Sequence, residues 1–336
     1  MTLKAPFVWF GGKRRVAAEV WTALGDVDNY VEPFAGSLAV LLGRPHDLLD
    51  GNRRAETVND ADGFLANFWR ALAHDPEAVA MWCDWPVNEV DLFARHLWLV
   101  NTGRSRLLEG MESDPDFYDA QVAGWWVWGV NAWIGSGWCS GEGPWIHGDD
   151  GIGKRPHLGN AGQGVNRKLP HLGDAGLAGY NNMEHRPNVL GYFEQLAGRL
   201  RDVRVCCGDW SRVVTNGALS FGSTVGVFLD PPYLGDVRTA DLYAVDDHTI
   251  SHEVRDWCLA NGDNPRYRIV LAGYSDEHDE LIPDTWKRYR YSASAAYSTT
   301  ASAARQDGNH ANRKSEVLWM SPHCLTPDQG TLWETL

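Results

Sequence analysis

Asp230-Pro231-Pro232-Tyr233 follows directly on the apolar run Thr224–Leu229. Two consecutive prolines hold φ at about −65° and remove two backbone donors, so the turn is rigid and its carbonyls face outward. An acid at the carboxyl end of a parallel strand stands where open α/β sheets build their sites. The Asp230 carboxylate and the Pro231 carbonyl are then two acceptors in fixed geometry beside an aromatic ring. Such a set suits an amino group on a flat ring. Each acceptor takes one N–H, which aims the nitrogen lone pair at an incoming methyl group, while Tyr233 stacks on the ring.

A second group of residues points to a bound cofactor. Glu32-Pro33-Phe34-Ala35-Gly36-Ser37 joins a short apolar strand to a helix, and its glycine permits close approach of the loop to a ligand in front of a helix N-terminus. The pattern is not G-x-G-x-x-G, which argues against a nicotinamide enzyme. Asp60 ends a second strand, where an acid can accept both hydroxyls of a ribose or cap the helix that follows.

These residues need a scaffold that brings strand ends together. Asn29–Pro33 and Thr57–Asp60 read as strands, with a helix opening at Gly36-Ser37 through Leu42 and an amphipathic helix carrying Phe64, Leu65, Phe68 and Trp69. Val203–Cys207, Thr224–Leu229 and Tyr267–Ala272 are further apolar strands, and Glu316–Met320 ends the sheet. Strands of this kind alternating with helices predict an α/β fold with a doubly wound, mostly parallel sheet covered on both faces. Between them the character changes. Helical patterns run to about residue 134, then glycine dominates and Pro156–Gly162 is echoed by Pro170–Gly176. The organisation expected is a first part of the sheet domain at 1–72, an inserted, mainly helical and loop-rich domain at 73–199, and the second part of the sheet domain at 200–336.

The 336 residues carry a formal net charge of −14, which runs against a nucleic-acid partner. Its distribution offsets this. Lys4, Lys13, Arg14 and Arg15 lie in an acid-free stretch, as do Lys154, Arg155, Arg167 and Lys168, while Lys287, Arg288, Arg290, Arg305, Arg313 and Lys314 face only Asp307 in sequence. The three stretches are able to share one face. Of the 17 tryptophans, six fall between Trp125 and Trp145, and core filling is their first expected use, ahead of base stacking. The six cysteines form no C-x-x-C pair and are expected as free thiols, with no metal site. No apolar run approaches the roughly 20 residues that span a bilayer, and the N-terminal stretch lacks a secretory signal, so a soluble, cytoplasmic chain is expected.

Taken together these motifs resemble the DNA adenine methylase family. Trp9-Phe10-Gly11-Gly12-Lys13 is similar to its N-terminal signature, Val31–Val40 to its methyl-donor loop, Asn59-Asp60-Ala61-Asp62 to its acidic second motif, and Cys207-Gly208-Asp209-Trp210 to a motif in which tryptophan replaces phenylalanine. Asp230–Tyr233 matches its catalytic motif in full, and Arg238, Tyr243 and His248 fall roughly where the family has similar residues. The resemblance covers approximately residues 5–70 and 190–320. It implies a Rossmann-like methyltransferase that transfers a methyl group from S-adenosylmethionine to N6 of a flipped-out adenine in double-stranded DNA, with the insertion as target-recognition domain.

By the same resemblance Trp9, Lys13, Phe34, Gly36, Asp60, Asp209 and Trp210 hold the cofactor, with Asp230 at its reactive end. Asp60 takes the ribose, Asp209 the adenine amine of the cofactor, and Trp210 packs beside that ring. Asp230, Pro231, Pro232 and Tyr233 form the catalytic set. Lys154, Arg155, Arg167 and Lys168, from the acid-free basic stretch, are expected to hold DNA phosphates. In the recognition segment Trp128–Trp138, Asn131 is retained while Ala132 stands at the usual arginine, and Ser140 lies near the place of a second one. Cytosine N4, adenine in RNA, or a retired DNA-binding relative are the alternatives, and a monomer is expected.

Overall fold

The computed structural model describes residues 3–7, 9, 12–45, 54–133, 138–139, 145–148, 151–154, 189–232, 247–291 and 316–326. Its centre is a seven-stranded sheet. Strands β1 (Asn29–Glu32), β2 (Ala55–Asp60), β5 (Val203–Cys207), β6 (Val225–Leu229), β7 (Tyr267–Tyr274), β8 (Lys287–Tyr291) and β9 (Glu316–Met320) lie in the order β5-β2-β1-β6-β7-β9-β8. A separate antiparallel hairpin pairs β3 (Trp145–Gly148) with β4 (Gly151–Lys154).

Burial follows position in the sheet. All residues of β1 and β6 are buried, because these two parallel strands pair with each other at the centre. The edge strands are half exposed, and the run Lys-Arg-Tyr-Arg-Tyr of β8 is suited to one free side. The expectation that Glu316–Met320 ends the sheet is corrected here. β9 inserts antiparallel between β7 and β8, and β8, which the apolar pattern missed, takes the edge. Val317, Leu318 and Trp319 are wholly buried, a composition that a solvent-facing edge would waste.

Helices cover the sheet. They are α1 (Ala17–Leu24), α2 (Ala39–Leu42), α3 (Gly63–His74), α4 (Pro76–Cys83), α5 (Glu89–Trp98), α6 (Arg104–Ser113), α7 (Ala120–Ala132), α8 (Val189–Leu200), α9 (Asp247–Asn261) and α10 (Ser275–His278). α2 starts later than the sequence suggests, because Gly36 and Leu38 both adopt left-handed backbone, at φ 47° and 54°. α3 begins where Asp62 accepts the N–H groups of Phe64 and Leu65, so Asp62, and not Asp60, is the capping acid.

The middle helices pack onto the first part of the sheet domain. The Asn67 side chain of α3 donates to the Asp119 carbonyl at 2.9 Å and accepts the Asp119 N–H at 2.8 Å. A Cβ on Gly124 would lie 2.3 Å from Cβ of Trp82, so α7 approaches α4 more closely than any larger residue permits. Trp126, Trp128 and Trp133 are buried in the same apolar core as Phe68, Leu41 and Phe193, which bears out core filling for these three. Asn131 is also used internally, donating to the carbonyls of Pro6 and Val127, and Ala132 is fully buried. All six cysteines are free.

Candidate active site

The direction of chain progression across the sheet reverses between β1 and β6, the place at which open α/β sheets form their ligand crevice outside the carboxyl ends of the strands. Glu32, Asp60 and Asp230 end or follow three of these strands. β1 and β6 are paired up to Val31 and Val227, so the loop at Pro33 and the turn at Asp230 emerge side by side.

Gly36 is pinned from three directions. Its N–H donates to Asp60 Oδ2 at 2.9 Å, its carbonyl accepts the Trp69 indole N–H at 3.0 Å, and a Cβ on it would lie 3.0 Å from the Trp9 ring. With φ at 47° as well, only glycine fits without strain. Trp9 reaches this point because Phe7 is packed among Phe68, Trp69 and Trp126, with ring centroids 5.2 to 5.7 Å apart.

Asp60 braces the loop through one oxygen and accepts the Asp62 N–H at 2.9 Å through the other. Asn59, which sequence reasoning passed over, ties three strand ends together. Its side-chain amide donates to the carbonyls of Pro33 and Gly208, and its own carbonyl accepts the Ala35 N–H. Asp209 caps the short 3-10 turn Trp210–Val213 by accepting the Ser211 N–H at 2.9 Å and its hydroxyl. The rings of Phe34 and Trp210 stack at 6.2 Å and 26°, which sets two of the expected cofactor contacts beside each other.

Asp230 sits beside a cation. Nζ of Lys13 lies 3.0 Å from Asp230 Oδ2 and 4.0 Å from Glu316 Oε2, and the Lys13 side chain is 5% exposed against 19% for Asp230. The ammonium is therefore directed at the catalytic acid of the expected site. Glu32 is buried behind it. Burial pushes the Glu32 carboxyl up to about 8, against the Tyr30 hydroxyl, which donates to it at 2.9 Å, and the Leu41 N–H. Nothing in the E-P-F-A-G-S pattern marked this acid as one that resists ionisation.

The basic stretches are less uniform than their sequence. Arg14 and Arg15 are exposed on the 3-10 turn that carries Lys13. Arg288 and Arg290 both converge on Asp279, so part of the third stretch meets an acid that lies outside it in sequence, while Arg305, Arg313 and Lys314 lie outside the described residues. The reason is tertiary: Asp279, just past α10, lies against β8. Lys154 ends the β4 strand, while Arg155, Arg167, Lys168, Tyr233, Arg238 and Tyr243 lie outside the described residues. Among the described residues there is no metal-ligand cluster and no helix long and apolar enough to cross a membrane.

A mostly parallel seven-stranded sheet with one antiparallel strand near its edge, and acids gathered at its switch point, is consistent with a methyltransferase fold. Residues 9–84 match the family described as D12 class N6 adenine-specific DNA methyltransferase. That stretch carries Trp9, Lys13, Phe34, Gly36 and Asp60, and it agrees with the DNA adenine methylase resemblance. It supports DNA adenine methylation as the activity of an enzyme. No curated protein matches the chain.

Proposed function

We propose that this chain methylates N6 of adenine in double-stranded DNA, using S-adenosylmethionine. The observation that carries this reading is the rigid Asp230-Pro231-Pro232 turn, which leaves β6 beside the β1 loop with its acid held by Lys13. The donor would supply an electrophilic methyl, its C–S bond breaking as the N6–C bond forms.

The residues present fit a nucleoside-bearing donor. Asp60 stands at the end of β2, where an acid of this fold type meets ribose hydroxyls, Gly36 is hung from it by a hydrogen bond, and the Phe34–Trp210 pair offers an aromatic wall beside Asp209 for the adenine ring. Trp9 supports Gly36 from behind. Lys13, expected beside the donor, pairs with Asp230 and so links the cofactor loop to the reacting end of the site.

A stacked and paired adenine cannot offer its amine to a crevice, so the base is flipped out at a cost of a few kcal/mol. Asp230 and the Pro231 carbonyl accept the two amine hydrogens and turn the lone pair outward, and Tyr233 stacks on the base. The fixed carboxylate stabilises positive charge as it builds on the nitrogen, which then sheds a proton to water. The inserted region 73–199 serves target recognition, with Lys154, Arg155, Arg167 and Lys168 on phosphates. Loss of the family's arginine at Ala132 predicts a target differing from the customary one.

The test is methyl transfer from labelled S-adenosylmethionine to unmodified genomic DNA, followed by nucleoside mass analysis. N6-methyladenine from the natural chain and none from a folded Asp230→Ala variant is the expected result. Near-normal methylation by that variant would overturn the assignment, and N4-methylcytosine as product would change the substrate.

A further inference from the structure

β9 is the strand that runs against its neighbours. Its first residue therefore arrives at the edge where the parallel strands end, the same edge as Glu32, Asp60 and Asp230. That residue is Glu316, registered opposite Tyr274 of β7 on one side and Tyr291 of β8 on the other. It is 8% exposed and places Oε2 4.0 Å from the ammonium of Lys13, which on its other side meets Asp230 at 3.0 Å.

We propose that Glu316 is a positioning residue for Asp230, acting through Lys13. The proposal rests on the reading of Asp230 as acceptor of the target amine. A lone ammonium 3.0 Å from Asp230 would cancel most of the charge that the reaction uses. Sharing Lys13 between two carboxylates leaves the trio with a net negative charge and holds the ammonium back from full possession of Asp230. Burial makes the arrangement rigid, because neither Lys13 nor Glu316 has bulk water to turn to.

Among the described residues, charged and titratable groups that bear on Asp230 include Lys13 on the 3-10 turn, Glu316 on β9, which shares Lys13 with it, and Glu32 on β1, whose carboxyl feels Asp230 electrostatically. Glu32 prefers its neutral form, so of these two acids Glu316 is the one that sets a negative charge against Lys13. A structural role alone would predict that Glu316→Gln changes stability and nothing at Asp230.

The deciding measurement is carbon NMR titration of the Asp230 carboxyl in the full chain, assigned by its loss in Asp230→Asn. Glu316→Gln removes a negative neighbour and a competitor for the Lys13 ammonium, so the midpoint of Asp230 falls by about one pH unit or more. Glu316→Asp, which withdraws the carboxylate by one methylene, moves it the same way by less and decides the matter if the glutamine variant does not fold. In methyl transfer, Glu316→Gln lowers kcat about tenfold with KM for donor and DNA nearly unchanged, and Glu316→Asp restores part of it. An unmoved Asp230 midpoint in a folded variant overturns the proposal. If the natural chain transfers no methyl group to DNA, the reading of the site fails while the titration still decides the coupling.

Discussion

Gly36 N–H donates to Asp60 Oδ2 at 2.9 Å, so the loop that leaves β1 hangs from the last residue of β2. The same carboxylate receives the Asp62 N–H, which makes it a two-point brace between the loop and the start of α3. A side-chain amide offers one acceptor where the two N–H groups require two. Asp60→Asn is expected to lower stability by about 1–3 kcal/mol, read from urea unfolding. It should also weaken S-adenosylmethionine binding about tenfold or more by calorimetry, since a ribose hydroxyl loses its acceptor as well. Unchanged donor affinity would remove Asp60 from the cofactor site.

Glu32 sets a pH dependence with a definite sign. Its folded carboxyl is raised from 4.5 to about 8 by burial, so the native state binds a proton that the unfolded chain has released. Stability therefore falls as pH rises from about 4.5 through about 8. His96 and His278, each lowered to about 4 by burial, work in the other direction, with stability lost as pH falls from about 6.5 toward 4. Urea midpoints measured from pH 5 to 9 should decline on the alkaline side. Glu32→Gln, which keeps the shape and cannot ionise, should flatten that limb; an alkaline decline that persists in the variant would contradict the assignment.

Lys13→Met tests the charge balance from the cation's side. Without the ammonium, Asp230 and Glu316 face one another as like charges, so the Asp230 carboxyl titrates at higher pH. The acid limb of the methyl-transfer rate should move up, opposite to the shift expected for Glu316→Gln. Turnover at neutral pH should drop about a hundredfold, because Asp230 loses the partner that fixes its orientation. A variant with its acid limb in place would show that Lys13 serves only packing.

Much of the site was legible in order along the chain. Asp230-Pro231-Pro232 falls at the end of a wholly buried strand, as the apolar run before it demanded, and Gly36 occupies the left-handed turn that only glycine enters freely. β8 was missed because an edge strand carries no continuous apolar signal, and Lys-Arg-Tyr-Arg-Tyr reads as surface. Glu316 was read as the beginning of a strand and nothing more. Its strand direction, which carries it to the crevice, depends on the neighbours that β9 finds in the folded sheet.

Local chemistry therefore belonged to the sequence: which turn is rigid, where an acid follows a strand, and which loop must contain glycine. These follow from periodicity and backbone sterics, which act over a few neighbouring residues. Partnership was decided by tertiary structure alone. Lys13, expected at the cofactor, is paired with Asp230, Arg288 and Arg290 meet Asp279, and Glu32 resists ionisation. The physical reason is that charge pairing and desolvation depend on distance in space and on the loss of water, and neither is encoded in spacing along the chain.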